Sequence, residues 1–371
     1  MFLAWRELWF ARARFGLMGG VVALIAVLVV MLSGLSTGLV NDGVSGLKAL
    51  PVDAFAFAGG TKSESAFTRS IVDTRQVGQW RARGDVTEAA PFGLALANTR
   101  TAAGVPLDFA LFGVDPGSFL APPVSIGAGL GSPDGIVVSA TALDKGVQIG
   151  DTVVVDRLGV TMTVVGATIG QQTFGHVDVA YVPLPLWQAI RAGVKPGEPA
   201  RAGAYTEASA VALRGHDIDL AAGDRGIGTS SRALAATFGS SPGYSAEMST
   251  MTLIKVFLYA ISALVVGAFF TVWTIQRRRE IAVLRAVGAS VGYLLRDGLI
   301  QALIVLIGAT GVGVLVGVLV GGAIHGMPFA LEAGAVAAGA SLLVTLGALG
   351  AVAAIVRIAR VDPLTALGEN R

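Results

Sequence analysis

Residues 15–40 read FGLMGGVVALIAVLVVMLSGLSTGLV, a stretch without a charged side chain. A helix needs about 20 apolar residues to cross the hydrocarbon core of a bilayer, so this stretch is long enough to span a membrane. Small residues near Ser33 to Thr37 would also suit a cleaved signal peptide. The apolar part is longer than such peptides use. The sequence therefore predicts an uncleaved membrane anchor.

The composition agrees with a membrane protein. Of the 371 residues, 53% are hydrophobic and 14% are charged, whereas a soluble domain is about a quarter charged. This excludes a purely soluble globular protein and a disordered one. The chain has no Cys, which excludes disulfides and thiolate metal sites, and its three His are far apart, so we predict no metal site. The net charge of +2 gives no reason to expect nucleic acid as a partner.

Three further charge-free stretches are long enough to span a bilayer, and a segment of roughly 200 residues separates the first stretch from the second, long enough for a folded domain. The predicted segments are 1–14 (cytoplasmic), 15–40 (first span), 41–251 (extracytoplasmic domain), 252–275 (second span), 276–297 (cytoplasmic loop), 298–322 (third span), 323–332 (outer loop), 333–356 (fourth span) and 357–371 (cytoplasmic tail).

The arginines predict the orientation. They cluster before the first span, between the second and third, and after the fourth: Arg6, Arg12, Arg14, Arg277, Arg278, Arg279, Arg285, Arg296, Arg357, Arg360 and Arg371. Lys and Arg near span ends prefer the cytoplasm. We therefore expect a multi-pass protein of the plasma membrane with both termini and the 276–297 loop in the cytoplasm, and the large domain outside.

The large domain is predicted to be α+β. A short strand is expected at Ile136–Ser139, a hairpin over 152–165 with its turn at Leu158–Gly159, and a strand that ends at Tyr181-Val182-Pro183. A helix is expected at Leu186–Ala192, whereas 195–241 has no clear periodicity. The sequence contains no GxSxG, HExxH or supported Ser/His/Asp arrangement, so the chain is predicted not to be an enzyme.

The loop after the second span reads QRRREIAVLRAVGAS (276–290). Its apolar residues Ile281, Leu284 and Val287 fall at helical spacing, with charged residues between them, so it predicts a short amphipathic helix that turns at Gly288. A charged turn would account for the arginines but not for the apolar stripe. The stripe instead indicates a soluble partner at the cytoplasmic face.

Glycines recur every four residues within the spans. Gly34 and Gly38 lie in the first span, and Gly313, Gly317 and Gly321 lie in the third. Small residues at this spacing let helix backbones approach closely. The third-span series therefore predicts helix packing, within the chain or in a homodimer.

The sequence contains no GxxxxGK[ST] phosphate-binding loop. If ATP drives this protein, a separate polypeptide binds the nucleotide and its Mg²⁺. No intrinsic cofactor is predicted.

Two motifs and the segment order resemble the permeases of the MacB/FtsX-like ABC superfamily. The motifs are RRREIAVLRAVGAS (277–290) after the second span and DPLTALG (362–368) after the fourth. The resemblance implies a homodimer that works with two copies of a cytoplasmic ABC ATPase. ATP hydrolysis would be converted into motion of the outer domains. The residues implied to couple to the ATPase are Arg277, Arg278, Arg279, Glu280, Ile281, Leu284, Arg285 and Gly288.

A narrower resemblance is to the HrtB-type haem exporters and the related DevC-type permeases. It lies in MFLAWREL (1–8), LSGLSTGLVND (32–42) and GYSAEMSTMTLIKVFLYAI (243–261). In that family, a tyrosine matching Tyr244 is implicated in haem handling, and so is an aromatic residue or tyrosine before the domain re-enters the membrane, for which Tyr181 is the candidate here. The resemblance therefore implies haem as the substrate, taken up from membrane lipid. Asn41 and Asp42, at the outer end of the first span, are expected to face the same region.

The residues at the entrance of the second span suit such a substrate. Tyr244, Glu247, Met248 and Met251 share one face of a helix at i, i+3, i+4 and i+7. Met and Tyr are possible axial ligands of haem iron. They are also common as interface anchors and packing residues, so this spacing alone does not decide between the two roles. Glu247 is either a solvated cap of the helix N-terminus or a ligand.

Three functions remain open from the sequence. The first is haem export, which relieves haem toxicity. The second is export of a lipid, lipoprotein or hydrophobic peptide by the same machinery. The third is mechanotransmission to a cell-wall hydrolase without transport, for which roughly 200 residues is a large outer domain.

Overall fold

The computed structural model describes residues 12–102, 104–276, 283, 287–288, 290–324 and 326–359. It divides into two compact units. The membrane unit comprises Met1–Leu39 and Met248–Arg371, and the inserted domain comprises Val40–Glu247.

The described elements follow one another along the chain. They are α1 (Arg12–Lys48), β1 (Ala54–Ala58), α2 (Ala66–Arg69), β2 (Val72–Asp73), α3 (Arg75–Arg81), β3 (Val86–Thr101), β4 (Pro106–Val114), β5 (Val124–Gly127), β6 (Gly135–Val138), α4 (Ala140–Asp144), β7 (Thr152–Val155), β8 (Thr161–Thr168), β9 (Thr173–Phe174), β10 (Val177–Pro183), α5 (Leu184–Arg191), β11 (Glu207–Ala208), β12 (Ala210–Gly215), α6 (Leu220–Ile227), β13 (Thr229–Ala233), α7 (Leu234–Thr237), α8 (Tyr244–Gln276), α9 (Val291–Gly322) and α10 (Ala333–Ala359).

Four of the described helices are long and apolar enough to cross a membrane. The candidate spans are Phe15–Lys48, Tyr244–Trp273, Arg296–Gly322 and Ala333–Ala354. With the mixed α/β domain between the first and second, they confirm the predicted fold class. Helices α1 and α8 run past the predicted span ends. The prediction covered only the charge-free stretches, whereas both helices also include polar residues such as Asp42 and Glu247. The predicted orientation across the membrane stays a prediction.

The inserted domain is built on a mixed sheet. In the described residues its strand order is β13-β1-β12-β3-β4-β10-β6-β8-β5, with β7 beside β3 and β8, and β9 beside β10. A separate pair joins β2 and β11. The β4–β10 and β6–β8 pairs are parallel and the other pairs are antiparallel.

Both faces of the central strands are buried. Along β4, Phe109 and Leu111 pack into one apolar core, while Ala110 and Phe112 pack into another. The side chains of β10 alternate between the same two cores. Successive strand residues point to opposite faces, so a strand covered on both faces is a continuous apolar run. This explains why β4 and β10 lack an apolar/polar alternation in sequence.

Trp187 of α5 lies against the sheet over two glycines. A Cβ at Gly93 would stand 2.3 Å from the indole, and one at Gly113 would stand 2.5 Å from the Trp187 side chain. Any larger residue at either position would displace the ring. The glycines therefore hold α5 close to β3 and β4.

The membrane unit has its own apolar core, to which α1, α8, α9 and α10 contribute. Its buried residues are Phe15, Met18, Val22, Val266, Phe270, Trp273, Ala302, Leu306, Ala351 and Ala354. The glycines of α9 lie on the packed face: a Cβ at Gly313 would stand 2.3 Å from the Ala23 carbonyl oxygen, and one at Gly317 would stand 2.8 Å from Val30 Cβ. The predicted packing role of this series is confirmed, within the chain.

Candidate functional site at the hairpin of β9 and β10

Three segments of the inserted domain meet at the β9–β10 hairpin: the last part of α1, the hairpin turn and the first turn of α8. The Gly43 carbonyl of α1 accepts hydrogen bonds from the Gly175 N–H at 3.0 Å and from the Ser241 hydroxyl at 2.9 Å. A Cβ at Gly46 would stand 2.6 Å from Val179 of β10. Close backbone approach therefore joins segments that are distant in sequence.

The hairpin turn presents a histidine. Phe174 pairs with Val177, which leaves Gly175 and His176 as a two-residue turn with φ of 61° and 66°. Turns with two positive φ values match the twist of paired strands. A positive φ is uncommon for a residue other than glycine, and here it sets the direction of the imidazole.

His176 bridges two carboxylates, one from each helix that leads into the domain. Its Nδ1 lies 2.8 Å from Asp42 Oδ2 of α1, and its Nε2 lies 3.2 Å from Glu247 Oε1 of α8. Gln171 also donates to Asp42 at 3.0 Å. We call Asp42, His176 and Glu247 the clasp. Because the ring uses both nitrogens on different carboxylates, the arrangement is that of an imidazolium between two anions.

The electrostatics of the clasp favour a charged histidine. Burial alone would lower the pKa of His176, but its hydrogen bond to Asp42 and its charge interactions with Glu247 and Asp42 outweigh burial and raise that pKa. The imidazole is 34% exposed. Solvent can therefore exchange its proton.

A second set of polar contacts continues along α1. The Ser45 and Thr173 hydroxyls lie 2.9 Å apart, and the Thr173 hydroxyl donates to the Asn41 carbonyl at 3.2 Å. The Asn41 side chain accepts from Lys48 Nζ at 3.1 Å. Asn41 directly precedes Asp42 of the clasp, and protein groups already contact both its side chain and its carbonyl.

Asn41, Tyr244 and Glu247 all lie near the hairpin. Asn41 contacts Thr173, and Glu247 contacts His176. A Cβ at Gly43 would stand 3.7 Å from the Tyr244 ring. The role of these three residues as substrate ligands stays a prediction. The Tyr244 ring is half-buried and packs edge-on against Phe238, with centroids 6.4 Å apart. Met248 and Met251 are half-buried, follow in the same helix and belong to the membrane unit.

Tyr181 lies apart from these residues, in the apolar core of the inserted domain. It is 2% exposed, its ring contacts Phe112, and its hydroxyl donates to Gln172 at 2.8 Å. Burial raises its pKa well above the ordinary value. Because the side chain is enclosed in the core of the domain, the structure gives it a packing role, and we leave it out of the ligand set proposed below.

Most predicted ATPase-coupling residues lie outside the described residues: Arg277, Arg278, Arg279, Glu280, Ile281, Leu284 and Arg285. Gly288 is described and has φ of 102° in a turn, as expected. Val287, beside it, is 85% exposed. Ser290 then caps α9 by accepting from the Tyr293 N–H at 3.2 Å.

Sequence reasoning missed His176. Its partners Asp42 and Glu247 lie 134 and 71 residues away in the chain, so no local motif contains the clasp. The available signal was the Gly175-His176 pair between two apolar runs, which is typical of a two-residue hairpin. That signal places the histidine in a turn but does not identify its partners.

Comparison with known proteins bears on the membrane unit first. Residues 252–363 match the model of the FtsX-like permease C-terminal domain. This range includes α9, α10 and the loop before them.

Several relatives match over nearly the whole length. The chain is 22% identical over 374 residues to the putative hemin transport system permease protein HrtB of Staphylococcus haemolyticus, covering 99% of each chain. It is 24% identical over 370 residues to an uncharacterized ABC transporter permease of Mycobacterium tuberculosis, again covering 99% of each.

Two solved structures resemble part of the chain. The periplasmic region of MacB from Actinobacillus actinomycetemcomitans gives a TM-score of 0.36 at 10% identity, covering 51% of this chain and 92% of that one. The extracellular domain of the ABC-type transporter YknZ from Gram-positive bacteria gives 0.34 at 12% identity, covering 49% and 98%.

Proposed function

We propose that this chain, an ABC transporter permease of the FtsX and MacB type, exports haem from the membrane. The observation that carries the proposal is the similarity to the HrtB hemin permease, which extends over 99% of both chains and so includes the inserted domain as well as the FtsX-like part. A transporter of this kind would remove a toxic amphipathic porphyrin from lipid.

The start of α8 supplies the chemistry. Tyr244, Met248 and Met251 follow one another at i, i+4 and i+7, and phenolate and thioether groups can each bind haem iron. In the described part of the chain the Tyr244 hydroxyl makes no hydrogen bond. It is therefore available to a ligand.

The next turns of α8 suit the porphyrin. Leu253, Val256 and Phe257 are 57%, 58% and 60% exposed in the membrane unit. Exposed apolar side chains on a membrane span face lipid or a partner. A flat apolar ligand that arrives through the bilayer would meet them first.

The energy would come from a separate subunit. The proposed assembly is a homodimer of this permease with two copies of a cytoplasmic ABC ATPase, which binds ATP and Mg²⁺. The coupling element would be the 277–290 segment, and the 85% exposure of Val287 supports an apolar docking surface there. The proposed placement has both termini and this loop in the cytoplasm.

The coupling assignment predicts a specific defect. Replacing Arg278 and Glu280 together by alanine should abolish co-purification of the ATPase and reduce transport by at least about tenfold, because charge pairs fix the register of an interface. Co-purification from membranes and haem efflux from vesicles measure this. Arg225→Ala, on α6 of the inserted domain, is the control. Unchanged co-purification and efflux in the double variant would show that the coupling element is elsewhere.

Haem binding is tested by titrating the purified protein with haemin and recording the absorption spectrum. We expect a saturable shift of the Soret band in the wild type, and its loss in Tyr244→Phe, Met248→Ala or Met251→Ala, whichever removes the axial ligand. Tyr205→Phe and Met327→Leu are matched controls, because Tyr205 and Met327 are 54% and 57% exposed and lie away from the start of α8 in sequence. These controls should bind as the wild type does.

A featureless titration would overturn haem as the substrate and leave the permease assignment intact. The alternatives are then export of a lipid, lipoprotein or hydrophobic peptide, and mechanotransmission to a cell-wall hydrolase. Stimulation of the ATPase by a lipid or peptide would favour export.

A further inference from the structure

The sheet of the inserted domain has a gap beside β3. One edge of this strand pairs with β4 from Gly93 to Arg100. On the other edge β12 pairs with residues 86–92 and β7 pairs with residues 99–101. Between these two neighbours, no described strand pairs with β3.

The gap leaves the backbone of Leu96 free. Backbone groups point to alternate edges along an antiparallel strand. On this edge the Leu94 N–H donates to Ser209 Oγ at 3.0 Å, and the Asn98 carbonyl accepts from the Asp156 N–H at 2.9 Å. Leu96 lies between them, so its N–H and carbonyl face the gap. Neither has a hydrogen-bond partner among the described residues.

The gap opens into a cleft of about 720 Å³. Its walls are the β3 edge, the β7–β8 turn and the end of α5, and the lining includes Leu96, Arg100, Asp156, Arg157, Leu158 and Arg191. The lining therefore combines aliphatic side chains with three arginines and one aspartate.

The lining of the cleft carries an excess of positive charge, with three arginines and one aspartate. Asp156 pairs with Arg100, with 2.5 Å between the two groups. Arg157 is exposed, has φ of 68°, and makes no hydrogen bond or close ion pair in the described part of the chain. Arg191 stacks on Trp187 and donates only to backbone carbonyls, those of Thr68 and Ser70. In the described residues neither the Arg157 nor the Arg191 guanidinium forms a close ion pair; Asp156 attracts Arg157 and Glu207 attracts Arg191 only over a longer distance.

We propose that this cleft binds an extended, acidic segment of a partner protein. The segment would complete the sheet by hydrogen bonding to the Leu96 N–H and carbonyl, which is the way extended peptides add to an open sheet edge. An Asp or Glu side chain would pair with Arg157 or Arg191, and neighbouring apolar residues would cover Leu96 and Leu158. This site is separate from the clasp and does not depend on the identity of the transported substrate.

The test uses the full chain in lipid nanodiscs and a phage library of linear twelve-residue peptides, counter-selected on empty nanodiscs. Enriched peptides are expected to carry Asp or Glu among apolar residues. The affinity of the best peptide should fall by about tenfold or more in Arg157→Glu and return in Arg157→Lys, because charge reversal replaces attraction by repulsion. Arg225→Glu, away from the cleft lining, is the charge-matched control and should bind normally.

Deuterium exchange locates the binding. Addition of the peptide is expected to slow exchange in the segment 94–98, where Leu96 would gain a hydrogen-bond partner. The proposal is overturned if no peptide is enriched, if the enriched peptides lack acidic residues, or if binding ignores Arg157→Glu. It is also overturned if exchange over 94–98 stays unchanged, or if haemin alone fills the cleft in an Arg157-dependent manner, which would make it a small-molecule site.

Discussion

Replacing Gly313 by alanine is expected to destabilise the membrane unit by about 2 kcal/mol, because the added methyl group has no room. Its Cβ would stand 2.3 Å from the backbone carbonyl oxygen of Ala23 in α1 and 2.6 Å from Ala26 Cβ. Neither atom belongs to a flexible side chain. The two helices would have to separate, and their close packing would be lost over several turns.

Gly311 provides the matched control. It lies in the same helix two residues earlier, is exposed, and has nothing within 4 Å of a built Cβ. Gly311→Ala is therefore expected to be neutral or slightly stabilising, since alanine has a higher helix propensity than glycine by about 1 kcal/mol.

Thermal unfolding of both variants, followed by tryptophan fluorescence in detergent, measures the difference. Trp273 reports on this core, since it is buried with Phe15 and Phe270. Equal melting temperatures for the two variants would show that α1 and α9 are not held at the distance described. A lower melting temperature in Gly311→Ala alone would instead indicate that a second copy of the chain packs against the face of α9 that carries Gly311.

The positions of the membrane spans could be predicted from the sequence because the absence of charged residues identifies them. A buried or lipid-facing span cannot accommodate unpaired charges, so charge-free stretches identify the helices. The ends were less predictable: α1 continues to Lys48 and α8 begins at Tyr244. Their polar ends are stabilised by contacts within the inserted domain, which no local pattern contains.

Local pairing in the inserted domain was also predictable. The expected hairpin forms as β7 and β8, with Gly159 at φ of 70° in the turn, and the expected helix forms as α5. The stretch 195–241 gave no prediction, yet it contains β12 and β13. Strand β12 pairs with β1 and β3, which are more than 100 residues earlier in the chain, so long-range pairing and not local periodicity determines it.

The candidate site illustrates the same limit. Tyr244 and Glu247 were identified because they share one helix face, and Asn41 because it ends a predicted span. Tyr181 was chosen by family resemblance, and the structure encloses it in the core. The clasp histidine was missed, because its partners converge only through the fold.

Replacing His176 by asparagine is expected to remove a pH-dependent part of the stability of the protein. The folded state raises the pKa of His176 above its ordinary value of 6.5, because Asp42 and Glu247 favour the imidazolium. The clasp therefore stabilises the fold fully below pH 6.5, and this contribution is lost as the pH rises through the raised pKa. Because the imidazole is one-third exposed and screened by solvent, we expect about 1 kcal/mol.

The measurement is the melting temperature of the full chain in nanodiscs between pH 5.5 and 9, compared with the variant at each pH. Asparagine tolerates a positive φ, so the turn is retained and the loss reports on charge. The difference between wild type and variant should be largest at low pH and vanish at high pH. His216→Asn, an exposed histidine of the same domain, is the control for general effects of removing a histidine.

Substitution of a carboxylate partner of His176 tests the same interaction. Asp42→Asn should lower the pKa of His176, since it removes the hydrogen-bonded carboxylate 2.8 Å from Nδ1. NMR of ring-labelled histidine resolves this, because the chain has only three His. An unchanged His176 pKa in Asp42→Asn would contradict the proposed interactions of the clasp. So would melting temperatures of the wild type and of His176→Asn that differ by the same amount at every pH. Asp42 and Glu247 lie where the chain enters and leaves the inserted domain. A His176 pKa that falls in Asp42→Asn would therefore mean that protonation of His176 determines how strongly these two segments are joined.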